Sequence, residues 1–164
     1  PLRRCKLQMM RTSPMPWSLG TILAGGLTLA HYESFAGCPT LPALRSRLAD
    51  DWPRHVAHGI HVLAAQHEGA ELVVGDSHEY DEEIEPFDKS EIDRLVLDYL
   101  ETFLPLPPTT LTERWHGIYV KHLLEPYCVF SPAERVVAVT GLGGHGMTLS
   151  FGLAEDVVQA WLDR

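Results

Sequence analysis

The chain has 164 residues, 45% hydrophobic and 21% charged, with a formal net charge of −9; this is the size and composition of one soluble globular domain with a core of its own. The acidic balance argues against a nucleic-acid partner, which calls for a basic stripe, and against a polybasic membrane contact. No apolar run reaches the roughly 18 residues that span a bilayer, and Leu19–Ala30 is broken by Gly20, Gly25 and Gly26. Cys5, Cys38 and Cys128 are odd in number and scattered, which fits thiols in a reducing, cytoplasmic compartment better than a disulfide framework.

The N-terminal Pro-Leu-Arg-Arg-Cys lacks an initiator Met, and Gln8 and Arg11 interrupt the apolar stretch a signal peptide needs; the expectation is a start inside a longer protein. Lys6–Thr12 reads as a strand stopped by Pro14 and Pro16. Leu27–Tyr32 reads as a second strand. Leu44, Leu48 and Trp52 recur every fourth residue, so Leu41–Trp52 reads as a helix with Thr40 as N-cap, ended or kinked by Pro53. One further turn over His55–His58 would stop at Gly59. Ile60–Gln66 and Glu71–His78 read as a hairpin joined by His67-Glu-Gly-Ala70. The acidic run Asp81–Asp88 reads as a solvated loop. Ser90 reads as an N-cap for a strongly amphipathic helix carrying Ile92, Leu95, Val96, Tyr99, Leu100 and Phe103, ended by Pro105. Thr112–Val120 reads as a strand and Leu123–Pro132 as a loop.

The C-terminal stretch carries the chemistry. Val136–Val139 is a β-branched run typical of a core strand, Gly141-Leu-Gly-Gly-His-Gly146 is a glycine turn, and Met147–Trp161 is a helix with Leu153, Val157, Val158 and Trp161 on one face. A glycine turn feeding a helix N-terminus aims free N–H groups at an anionic or electron-rich guest. Gly141, Gly143 and Gly146 satisfy G-x-G-x-x-G. No second parallel strand follows, however, and no acidic residue about 20 positions on, so a dinucleotide-binding βαβ unit is not expected here. Helices mixed with hairpins make the fold class α+β, with a mixed or antiparallel sheet and flanking helices.

Two other groupings are weaker. His55, His58 and His61 sit three apart, but Gly59 breaks their helix and no Cys or carboxylate completes a ligand set, so no metal site is expected. Asp76, Ser77 and His78 are adjacent without a nucleophile elbow, which does not make a hydrolytic triad.

The order Trp115-His-Gly-Ile-Tyr-Val120, loop, strand, Gly143-Gly-His-Gly-Met-Thr-Leu-Ser150, helix resembles the C-terminal end of the FAD-dependent amine and amino-acid oxidoreductases, the family of D-amino-acid oxidase, glycine oxidase and sarcosine oxidase. Leu7-Gln-Met-Met-Arg-Thr12 and Gly75-Asp-Ser-His-Glu-Tyr80 look like a clade linked to aminophosphonate breakdown. The resemblance implies a substrate-domain-like region over residues 1–120 and, over 121–164, the strand, turn and helix that complete an FAD domain. It implies flavin contacts at Gly117, Ile118, Gly143, Gly144, His145, Gly146, Met147 and Thr148, and substrate contacts at Tyr119, His78 and Tyr80. The sarcosine-oxidising members attach flavin through a cysteine near the position that is Gly117 here, so FAD would be held non-covalently. A lysine that some members place after the turn is Thr148 here. The activity implied is oxidation of a C–N bond in a small amine, amino acid or aminophosphonate by hydride transfer to FAD. The family's N-terminal Rossmann unit has no counterpart in the chain. The expectation is therefore a truncated piece, inactive alone, that needs its missing N-terminal FAD-binding half or a second chain. The alternative is a non-catalytic α+β binding or interaction module using the same turn for an anion.

Overall fold

The structure, a computed structural model, describes residues 2–163. The strands are β1 (Leu2–Pro14), β2 (Leu23–Ala24), β3 (Leu63–Gln66), β4 (Glu71–Gly75), β5 (Glu79–Asp81), β6 (Leu111–His122), β7 (Cys128–Ala133) and β8 (Val136–Thr140). The helices are α1 (Leu27–His31), α2 (Leu41–Asp51), α3 (Pro53–Ala57), α4 (Ser90–Leu100) and α5 (Gly146–Leu162). One sheet runs in the order β2-β3-β4-β1-β5, with β6 also paired to β1, and a second sheet is the β7-β8 pair. The α+β class is as expected, and the β1-β4, β2-β3, β3-β4 and β7-β8 pairings are antiparallel. The chain divides into two compact units. The larger holds Lys6–Glu79 and Glu85–Gly117; the smaller holds residues 2–5, Tyr80–Ile84 and residues 118–163.

In the larger unit the β3-β4 hairpin forms around its expected glycine-containing loop, over strands shorter than the expected Ile60–Gln66 and Glu71–His78, with Ala64 opposite Val74 and Gln66 opposite Leu72. β1 lies on the other side of β4, Met10 opposite Val74. Along β1 the residues turned inward are Lys6, Gln8, Met10 and Thr12, all at most 2% exposed. Three of the four are polar, and each has a hydrogen-bonding reason to be there. Thr12 Oγ1 accepts the Leu72 N–H at 3.0 Å, and Gln8 Oε1 accepts the Lys89 N–H at 2.7 Å. Gln8 Nε2 donates to Lys89 O at 3.1 Å and Asp93 Oδ1 at 3.2 Å. The Lys6 ammonium meets the carbonyls of Glu85 and Phe87 and the carboxylate of Asp88.

α4 lays its expected face on the core. Ile92, Val96 and Leu100 are fully buried, and Leu95 and Tyr99 nearly so. They join Met10, Leu48, Val62, Leu72 and Val74 in one cluster, against which Phe103 packs. Ser90 is not the cap. It is the first helical residue, and Lys89 occupies the N-cap without a side-chain bond. Gln8 reaches across from β1 to satisfy the Lys89 backbone instead. Thr40 likewise makes no capping bond at α2, because its own backbone is already helical.

Four further expectations are corrected. Leu27–Tyr32 is not a strand: Leu27–His31 is one turn of helix, seated by the Tyr99 hydroxyl 3.0 Å from the Leu27 N–H. A short apolar run carries no period that separates strand from helix. Leu123–Pro132 is not all loop, since Cys128–Ala133 pairs with β8 despite Pro132; the pairing shifts register between Phe130 and Ala133, where a proline is tolerated. β8 is not a buried strand, as Val136 and Val139 are exposed. The acidic run is not wholly solvated either, since Asp88 binds Lys6 and its Oδ1 lies 2.7 Å from His116 Nδ1.

Candidate functional site

In the smaller unit β8 ends at Gly141, whose φ of +83° is left-handed. A Cβ there would lie 3.0 Å from His122 Cβ and 3.1 Å from Leu2 Cδ2. The position therefore needs glycine for both its backbone and its space. We expect Gly141→Ala to cost about 1–3 kcal/mol of stability, read by urea denaturation. The turn is fixed to the end of β6: His122 N–H donates to Gly141 O at 2.9 Å, and Lys121 bridges Leu142. Gly143–His145 makes a 3-10 turn, with Gly143 at φ +60°, and α5 begins at Gly146.

This connection brings most of the sequence-predicted flavin contacts together. Gly143, Gly144, His145, Gly146, Met147 and Thr148 are consecutive at the head of a 17-residue helix. Gly146 has nothing within 4 Å of where a Cβ would stand, and Gly144 has only the Tyr119 hydroxyl at 4.0 Å. The first turn of α5 carries no acidic residue, and Met147 is 92% exposed. Ile118 is exposed on β6. Gly117 belongs to the larger unit, where the Leu7 side chain lies 3.4 Å from its would-be Cβ.

Tyr80 and Tyr119, both expected on the substrate side, belong to this unit together with two residues the sequence did not single out. Tyr119 is hydrogen-bonded to Cys5 and Tyr80; burial, then these bonds, push its hydroxyl well above the ordinary tyrosine range, so it stays protonated. The Lys121 ammonium stands 5.7 Å over the Tyr80 ring, in cation–π range. A lysine and a helix N-terminus beside one glycine turn create a local positive field in an acidic protein. No periodicity marks Lys121 or Cys5; only the strand pairing makes them neighbours of the two tyrosines.

A model of the FAD dependent oxidoreductase family matches residues 2–160. The chain belongs to this family. No curated protein and no solved structure gives a significant match. FAD is the cofactor that membership of the FAD dependent oxidoreductase family implies, and the residues present fit part of it. Side-chain-free backbone at Gly144 and Gly146 admits a flat aromatic group, and the α5 N-terminus beside Lys121 suits an electron-rich one. Among the described residues no helix is long and apolar enough to cross a membrane.

His78, also expected to touch substrate, lies in the larger unit and in different company. Its Nδ1 is 3.1 Å from Gly59 O, and its ring packs on those of His31 and His61, with centroids 4.3 and 4.8 Å away. Gly59, at φ +57°, makes this approach possible, since a Cβ there would stand 2.9 Å from His78 Cβ. The helical spacing His55–His58–His61 does not form a group. The His55 Nε2–H donates to Leu95 O at 2.9 Å, while His58 faces Glu91 at 3.8 Å. Asp76 sits beside His61 and is pushed up to about 7, chiefly by burial. His61 is pushed down to about 2 by burial and then by the other two imidazoles, so it is neutral at physiological pH.

Proposed function

We propose that this chain supplies the flavin-facing turn and part of the substrate side of an oxidoreductase that oxidises a C–N bond of a small amine, amino acid or aminophosphonate, with FAD held non-covalently. The observation that carries the reading is the glycine turn of residues 143–146 opening α5 beside Lys121 and Tyr119. Bound FAD supplies the two-electron acceptor. The chain's own residues do the rest. Backbone N–H groups of 143–148 and the Lys121 ammonium stabilise negative charge at the turn. The Tyr119 hydroxyl, held by Cys5 and Tyr80, lines the substrate side as a neutral polar group. Met147, exposed at the turn, offers an apolar surface that would keep water from a bound flat group. Glycine at position 117 presents no thiol for a covalent flavin link there. The exposed apolar residues Met147, Phe151 and Leu162 of α5 suit a covering nucleotide-binding partner, in the same polypeptide or another.

The test is an FAD titration of the chain, alone and joined to a nucleotide-binding half, followed by visible absorbance and flavin fluorescence. Anaerobic addition of small amines and aminophosphonates comes next. Flavin binding followed by substrate-dependent bleaching supports the reading. If neither form binds flavin, the reading is wrong. Gly146→Leu sharpens the test. Its side chain enters open space on a helix, so stability should move by less than about 1 kcal/mol, while FAD affinity should fall at least about tenfold.

A further inference from the structure

We propose that His31, His61 and His78 form a binding site for a divalent first-row transition metal, with zinc as the reference ion. One ring nitrogen from each lies within 4.8 Å of the other two. The three residues come from three places: the last turn of α1, the approach to β3, and the segment between β4 and β5. Two of them are tied down. His61 and Asp76 exchange both backbone hydrogen bonds, at 3.2 and 3.1 Å, and the His78 N–H donates to His58 O at 3.0 Å. Tetrahedral zinc with Zn–N bonds of 2.0–2.1 Å holds its ligand nitrogens about 3.4 Å apart. The nitrogens therefore need to close by at most about 1.4 Å, and the rings, now 26–46° from one another, need to turn so that their lone pairs converge on one ion.

The surroundings favour a cation. His61 is 2% exposed, yet its Nδ1 has no hydrogen-bond partner. Asp76 Oδ1 is also buried and makes no hydrogen bond, though it stands 3.2 Å from His61 Nε2. Two orphaned polar atoms at one buried spot are costly, and such groups in folded proteins normally have a reason. A metal on His61 Nδ1 resolves both. It takes the Nδ1 lone pair, and a slight rotation of the ring places Nε2–H on Asp76. That is the carboxylate–histidine–metal arrangement that orients a ligand and raises its basicity. His78 already shows the equivalent support, Nδ1–H donating to the Gly59 carbonyl, which leaves Nε2 as the lone-pair nitrogen. An anion would need charged imidazoles and would face the Asp76 carboxylate. Three imidazoles and no thiolate suit zinc, nickel or copper, with a fourth position for water or a substrate oxygen. The site lies within the larger unit and does not depend on the flavin reading.

Tag-free full chain, stripped with chelator, would be titrated with Co2+ and then competed with Zn2+. The expected result is a one-to-one visible d–d band of tetrahedral intensity, without a thiolate charge-transfer band in the near ultraviolet, displaced by zinc. His31→Ala, at a half-buried position, and His78→Ala should each weaken Zn2+ binding at least tenfold. His67→Ala, on the exposed hairpin loop, should leave it unchanged. Circular dichroism checks that each variant is folded, and His31→Gln replaces His31→Ala if that variant is not. No band, a band of thiolate character, or equal affinity in the folded His31 variant and the wild type would overturn the site.

Discussion

Leu100→Ala is expected to lower the unfolding free energy by about 3 kcal/mol, within a range of about 2–5 for a fully buried leucine. The urea midpoint should fall with little change in slope. Leu100 ends the row Ile92, Val96, Leu100, each fully buried on α4. Alanine is the best helix former, so helix propensity cannot account for a loss; the cost is lost apolar transfer plus the cavity left behind. Leu97, one turn back on the flank of the helix and only partly buried, is the internal comparison and should lose about 1 kcal/mol or less when cut to alanine. Equal losses at the two positions would mean that α4 does not seat on the core by the face described above.

Lys6→Met should cost nearly as much, about 3 kcal/mol, although it replaces a charge with an apolar chain of similar length. The ammonium is 2% exposed and binds two backbone carbonyls and Asp88, 3.0 Å away. Methionine keeps the packing of the stem but leaves the Glu85 and Phe87 carbonyls and the Asp88 carboxylate without their cation. The substitution also has a pH signature. Burial tends to raise Asp88, but hydrogen bonds from Lys6 and His116 outweigh it and hold the carboxyl below its ordinary value of 3.8. A folded-state pKa that is depressed contributes stability above the unfolded value, and that stability is lost as pH falls through the folded one. The wild type should therefore lose stability on acidification from about pH 4 downward. Lys6→Met should lose less over the same interval, because part of the contribution is already gone. Parallel acid-denaturation profiles for the two proteins would remove Asp88–Lys6 as the cause.

What could be read from the sequence follows the range of each interaction. α4, α2 and the β3-β4 hairpin are written in local periodicity and turn chemistry, and they form as expected. The glycine turn at 141–146 is likewise local, and its predicted contacts fall at one helix start. The inward polar face of β1 was not legible. Alternation shows that Lys6, Gln8 and Thr12 share a side with Met10, but not that this side is the buried one, because their partners lie far along the chain. Ser90 looks like a cap by residue type, and a glutamine from β1 serves the same turn. The histidine cluster escaped for the same reason. The spacing drew attention to His55, His58 and His61, whereas packing gathers His31, His61 and His78 from separate elements.

No described side chain of α5 is buried. A helix of this length has little stability in water by its propensity alone, and most helices draw theirs from a packed face. Its amides should therefore exchange with solvent far faster than those of α4, which opens only with the core. If the helical form is only partly populated, any ligand that needs the ordered first turn binds with an apparent affinity reduced by that fraction. On the proposed reading, whatever covers α5 would tighten cofactor binding without touching the cofactor, and assembly and occupancy of the turn would form a single, coupled equilibrium.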